Sequence, residues 1–214
     1  MTDHMAGRPM PAAAPADRLA RALEATGALI AAIQNDQWSN ATPCSEWNVR
    51  TLVNHLVFGN RMFAGILRGE PPPPLGDLPR LRDIDQLGHD PVGAYHEAGA
   101  ELQAAFSQPA VLERTFQAPI GLVPGAVLLH LRITELLVHG WDLAHATGQP
   151  ARLPDDLAEE ELAFARSPRA PDVPRSGHPF GPAQSIPDDA AAIDRLAAYL
   201  GRPIPTDYAE ADRA

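Results

Sequence analysis

Apolar side chains recur at helical spacing in several separated stretches of this chain, and the stretches predict a series of packed helices. From Asp17 to about Trp38, the residues Leu19, Ala22, Leu23, Leu29, Ile30 and Ile33 mark a first core helix. A turn from Asn40 to Trp47 follows. Asn48 is then placed to cap a second helix running to about Arg68, since its side-chain oxygen can accept from the free N–H groups of the first turn. The inward stripe of that helix includes Leu52, His55, Leu56, Gly59, Met62, Phe63 and Ile66. Gly69 and the run Pro71 to Pro74 end it, and a loop is expected to about His89.

A third helix is expected from Pro91 to Phe106, carried by Val92, Tyr95, Ala98, Leu102 and Phe106. Val111 to Val123 holds β-formers around a Pro-Ile-Gly turn and reads as a short hairpin or an extended connection. Pro124 opens a fourth long helix, Gly125 to about Ala146, which Gly148 closes. A short helix over Asp155 to Ala165, a proline- and glycine-rich stretch to Pro187 and an amphipathic helix over Asp188 to Leu200 complete the pattern. It predicts an all-α fold close to a four-helix bundle, with additional short helices. The expected organisation is a flexible arm over 1–16, one helical domain over 17–204 and a tail over 205–214.

Composition narrows the function classes. The 214 residues carry 17 basic and 27 acidic side chains, a formal charge of −10, which argues against a nucleic acid or an anionic membrane as partner. No window has the apolar length of a membrane span, and the N-terminus lacks signal architecture, so a cytoplasmic protein is expected. Cys44 is the only cysteine, which excludes an intrachain disulfide. No neighbouring histidine or CxxC spacing supports its activation, so it reads as a packed turn residue. GxSxG, P-loop and dinucleotide glycine patterns are absent.

The candidate chemistry lies in Glu135-Leu-Leu-Val-His139. A carboxylate and an imidazole at i,i+4 share one helix face, and His55 stands on another expected helix. Together, His55, Glu135 and His139 could hold a divalent metal with a coordination position left open. Zn²⁺ suits this nitrogen-rich set best, with Ni²⁺, Fe²⁺ and Mn²⁺ left open. The plainer readings are a Glu135 that is solvated or paired with Arg132, and histidines that simply pack. Asp142 is read as an acceptor that orients His139, with an extra ligand or an ordinary helix-end carboxylate as alternatives. Gly59 could leave room above a metal or mark a close helix crossing. His130 and His145 fall less well on this face. No catalytic residue is expected beyond the metal centre.

The segments Thr42-Pro-Cys-Ser-Glu-Trp-Asn-Val-Arg50 and Leu52-Val-Asn-His-Leu56 resemble the DinB/YfiT-like metal-binding superfamily. So do Glu135-Leu-Leu-Val-His-Gly-Trp-Asp-Leu-Ala144, Ala146-Thr-Gly-Gln149 and Asp194-Arg-Leu-Ala-Ala-Tyr-Leu-Gly-Arg202. The nearest branch is that of the N-terminal domain of mycothiol-dependent maleylpyruvate isomerase. The resemblance implies a DinB-like up-and-down four-helix bundle, with His55, Glu135 and His139 as its metal triad. It implies one divalent metal per chain and a thiol transferase or isomerase that uses mycothiol or a related small thiol as cosubstrate on an electrophile. A homodimer is consistent with the superfamily. Full maleylpyruvate isomerases carry a further C-terminal domain with no obvious equivalent here, so maleylpyruvate itself is not the expected substrate. A metal-dependent hydrolase and a noncatalytic metal-binding protein would use the same triad and stand as alternatives.

Overall fold

The computed structural model describes residues 14–45, 47–171 and 180–204. Its elements are α1 (Pro15–Ala31), α2 (Val49–Arg68), a 3₁₀ turn (Leu75–Asp77), α3 (Leu78–Arg82) and α4 (Pro91–Phe106). These are followed by β1 (Thr115–Ala118), β2 (Gly121–Pro124), α5 (Gly125–Thr147), α6 (Asp155–Ala165) and α7 (Ala192–Tyr199). Most of the expected arm and the whole tail lie outside the described residues, whereas Pro15 and Ala16 open α1.

Helices α1, α2, α4 and α5 form the bundle: α2 packs on α4 and α5, and α1 packs on α4 and α5. Their apolar stripes meet in one core that includes Leu19, Ile30, Leu52, Leu56, Leu102, Leu136 and Trp141. Polar side chains pin the packing. Thr26 donates to the Leu136 carbonyl at 3.0 Å and Tyr95 to the Leu23 carbonyl at 3.2 Å. Burial raises the Tyr95 phenol well above its ordinary value, so it remains a neutral donor. Helices α6 and α7 pack on each other and on α5, where Trp141 Nε1 donates to Asp194 at 2.6 Å.

The caps of α2 follow the sequence. The Asn48 carboxamide accepts from Thr51 N at 2.9 Å, and Gly69 closes the helix at φ 88°, a conformation costly for any residue with a Cβ. Between α4 and α5 the chain makes an antiparallel hairpin with Phe116 opposite Val123. Three expected boundaries differ. Helix α1 stops at Ala31 instead of Trp38, because Gln34 N is taken by the Gln37 side chain at 2.9 Å and a turn forms. Ile33 and Trp38 pack on the core from that turn, which mimics a continuing helix. The expected loop to His89 contains α3. Helix α7 starts at Ala192, since Ala190 N closes a turn onto the Pro187 carbonyl and Ala191 is extended at ψ 143°.

Candidate functional site

His55 lies midway along α2, while Glu135 and His139 follow one another on the facing surface of α5. The two imidazole rings stand 5.1 Å apart at 82°. Glu135 Oε2 is 3.8 Å from His55 Nε2. Trp47, just before the Asn48 cap, covers both rings, with centroids 4.6 Å from His55 and 5.7 Å from His139. Phe180 stacks on His139 at 6.0 Å.

Two of the three candidate ligands, His139 and Glu135, are held by another side chain. Asp142 Oδ2 lies 3.0 Å from His139 Nδ1. An ionised carboxylate only accepts, so Nδ1 carries a proton, and in the neutral ring the lone pair is on Nε2. Asp142 in turn receives two hydrogen bonds from Arg202, at 2.7 and 2.8 Å. Burial by itself would raise the Asp142 pKa, but the bonds from His139 and Arg202 outweigh it and hold the group below its ordinary value of 3.8. Glu135 Oε2 accepts from Arg132 Nη1 at 2.7 Å. Arg132 is fully buried and also donates to Asn60 Oδ1 at 2.9 Å and to the Leu56 carbonyl at 3.1 Å. A Cβ at Gly59 would collide with that guanidinium, so the missing side chain makes room for Arg132 and not for a ligand above a metal.

The imidazoles are the unbalanced part of the arrangement. His55 Nδ1, His55 Nε2 and His139 Nε2 are buried without a hydrogen-bond partner among the described residues. Buried polar atoms are nearly always satisfied, so such nitrogens are suited to donate to something that binds. Among the described residues, no three His, Cys, Asp or Glu side chains form a preassembled metal cluster. Glu135 Oε2 is committed to Arg132, whereas Glu135 Oε1 accepts no hydrogen bond among the described residues. In donor chemistry the set fits a divalent metal: two imidazoles with unpartnered Nε2 atoms and one anchored carboxylate.

Burial, followed by electrostatic coupling to His139, Arg132 and Arg82, pushes the His55 pKa well below its ordinary 6.5. An unfolded chain therefore binds this proton more readily than the native one. The stability is fully present above pH 6.5 and is lost as pH falls below it. In chelator-treated protein, the urea midpoint should decline between about pH 7 and about pH 5, by up to roughly 1.4 kcal/mol per pH unit for this group. A midpoint that stays level across this window would contradict a neutral buried His55.

The other expected residues separate from the centre. His130 Nδ1 contacts buried Glu161 at 3.0 Å, and Glu161 also accepts from Arg18 and Thr134. His145 donates to the Trp141 carbonyl at 2.9 Å and packs tilted against the Trp141 ring. Cys44 is buried in the turn before α2, where its carbonyl accepts from Thr42 Oγ1 at 3.0 Å. Cys44→Ser should leave metal content and any turnover unchanged, at a cost of about 1–2 kcal/mol for burying a hydroxyl. Lost turnover in a folded, metal-replete Cys44→Ser protein would overturn that assignment.

Beside His55 and Glu135 opens a cavity of about 660 Å³, within the usual range for small-ligand sites. Its walls come from α2, α5, the hairpin turn, the segment around α3, the end of α6 with the residues after it, and Phe180 with the end of α7.

The family model for the mycothiol maleylpyruvate isomerase N-terminal domain matches residues 19–144, more than half of the 214. The chain belongs to this family. The match takes in α2 and nearly all of α5, and so His55, Glu135, His139 and Asp142. An uncharacterized protein of Mycobacterium tuberculosis is 38% identical over 184 residues, covering 86% of this chain and 95% of the relative. Two crystal structures of mycothiol-dependent maleylpyruvate isomerase, one of them a mutant, share the fold at TM-scores of 0.58 and 0.55. They are 14% and 15% identical and cover 71% of this chain and 68% of theirs, so the likeness speaks for the DinB-like bundle alone. No helix among the described residues is long and apolar enough to cross a membrane.

Trp47, Arg82, Phe180 and Arg202 belong to the site or its cavity but carry no spacing signal that ties them to His139. Trp47 and Arg202 lie inside the segments that resemble the family, which is the one hint the sequence holds for them.

Proposed function

We propose that this protein is a metal-dependent thiol transferase or isomerase that uses mycothiol or a related small-molecule thiol, with His55, Glu135 and His139 as metal ligands. The observation that carries the reading is the pair of buried imidazoles whose Nε2 atoms lack partners, one of which, His55, lines a small-ligand cavity. Zn²⁺ suits the donor set best. Bound there, the cation supplies the positive charge that keeps a thiol in its reactive thiolate form.

The chain's own residues do the positioning. Asp142 fixes the tautomer of His139 and turns its lone pair outward. Arg132 anchors Glu135 through one oxygen and leaves the other for the metal. Trp47 and Phe180 cover the imidazoles and limit water around the centre, which strengthens charge interactions there. The electrophile would enter from the cavity beside His55. The reading places the protein in the cytoplasm, acting on small molecules.

The test is elemental analysis of untagged protein together with a calorimetric titration of mycothiol. One divalent metal per chain and saturable, metal-dependent thiol binding support the proposal. Metal without thiol binding, with turnover of ester or amide probes in the absence of thiol, supports a hydrolase. Neither metal nor thiol binding overturns the proposal.

A further inference from the structure

The surface of α2 that carries His55 continues away from the centre as an apolar track. Phe58, Met62, Phe63 and Ile66 follow His55 at helical spacing and all line the cavity. At a rise of about 1.5 Å per residue, the distance along the helix from His55 to Ile66 is roughly 16 Å. Leu128 and Leu131 of α5 line it as well. At the rim, Leu75 and Ile120 are 51% and 45% exposed, so apolar surface faces solvent at the entrance as well. A small dianion such as maleylpyruvate has no use for such a trough.

The charged groups that line it are few: Glu135, already paired with Arg132, and the guanidinium groups of Arg82 and Arg166. Neither Arg82 nor Arg166 forms a salt bridge among the described residues, although Arg18, Arg21, Arg50, Arg68, Arg195 and Arg202 all do. Arg82 is the better placed of the two. It is half-buried, its guanidinium lies 5.5 Å over the Trp47 ring, and Trp47 packs against His55 at 4.6 Å, so the cation stands at the histidine end of the trough. Arg166 is exposed and lies over Tyr199.

We propose that the cavity binds an amphipathic carboxylate, its elongated apolar body lying along α2 toward Ile66 and its carboxylate held by Arg82 beside His55. That this ligand is the electrophilic substrate rests on the function proposed above; the binding itself does not. The substrate class is then an organic acid with a long apolar tail, its reactive carbon close to the carboxylate. An arginine is suited to that head group because its fork matches the two carboxylate oxygens and is only weakly hydrated.

Calorimetry with octanoate, butanoate and 1-octanol on the full chain tests this, with metal content measured on the same sample. Octanoate should bind saturably and at least about tenfold more tightly than butanoate, from the burial of its extra methylenes. Arg82→Met should weaken octanoate by about tenfold and leave 1-octanol unchanged, a control that also shows the cavity is intact. Phe58→Ser should weaken both ligands. Equal affinity for octanoate and butanoate, no octanoate binding, or an Arg82→Met protein that binds octanoate like the parent would overturn the proposal. Octanoate binding by a protein without metal removes the metal-thiol reading and leaves this one standing. A metal-replete, thiol-binding protein that ignores octanoate does the reverse.

Discussion

A His139→Ala protein is expected to lose stoichiometric metal, and with it thiol-dependent turnover, while remaining a folded helical bundle. The expectation rests on the division of labour around that imidazole: Nδ1 is spent on Asp142, and Nε2 is buried and unpartnered. Removing the ring takes away a ligand and the function of the Asp142 contact together. A site reduced to one imidazole and one carboxylate should hold zinc too weakly to survive purification, and second-order perturbations of such sites already cost about 10- to 100-fold in affinity. The fold should persist because the long apolar stripe of α5, including Ile133, Leu136, Leu137 and Trp141, is untouched. Elemental analysis and circular dichroism on one preparation decide the matter. Retained stoichiometric metal would sink the ligand assignment. A less disruptive companion, Asp142→Asn, keeps the volume but can favour the wrong tautomer, and should show an intermediate metal affinity.

The largest loss of stability is expected from Arg132→Met. This guanidinium is fully buried, and three hydrogen bonds fix it to Asn60, the Leu56 carbonyl and Glu135. Burial pulls its pKa down, and the charge of Glu135 opposes that pull. Methionine fills much of the volume and leaves two buried acceptors and a carboxylate without their donor. Breaking a buried pair by removing one partner costs about 3–5 kcal/mol. Because the Glu135 side chain keeps 23% exposure, a value near the lower end of that range is expected. Urea unfolding followed by circular dichroism measures it, and a change below about 1 kcal/mol would show that the network is not what holds Glu135. Arg132→Lys should recover only part of the loss, since an ammonium cannot reproduce the fork.

The bundle could be read from the chain where local rules and tertiary packing agree. Asn48 caps α2, Gly69 ends it, Pro124 precedes α5 and Gly148 closes it, because each of these positions obeys a rule that needs only its immediate neighbours. The same rules misplaced the end of α1, since Ile33 and Trp38 reach the core from a turn and so preserve an apolar rhythm without helical backbone. They passed over α3 because five residues are too few to establish a period. At the site, Glu135 and His139 were visible as a pair on one helix, and Arg132 as a neighbour of Glu135. Arg82 and Phe180 were invisible, and Arg202 was hinted at only by the family resemblance, because what places all three near His55 and His139 is the packing of segments remote in sequence.

The bond between Asp142 and Arg202 has a temporal side. Polypeptides are made from the N-terminus onward, so every candidate ligand is in place before the ribosome reaches Arg202. Until that arginine arrives, Asp142 lacks its strongest counter-charge and the orientation of His139 is poorly enforced. On the metal-binding function proposed above, a nascent or prematurely stopped chain would build most of the bundle and yet grip a cation weakly. Firm capture would then follow the synthesis of Arg202. A chain stopped at residue 200 and compared with the full one for metal retention during dialysis would expose this: equal retention would mean that the histidine is held without the arginine.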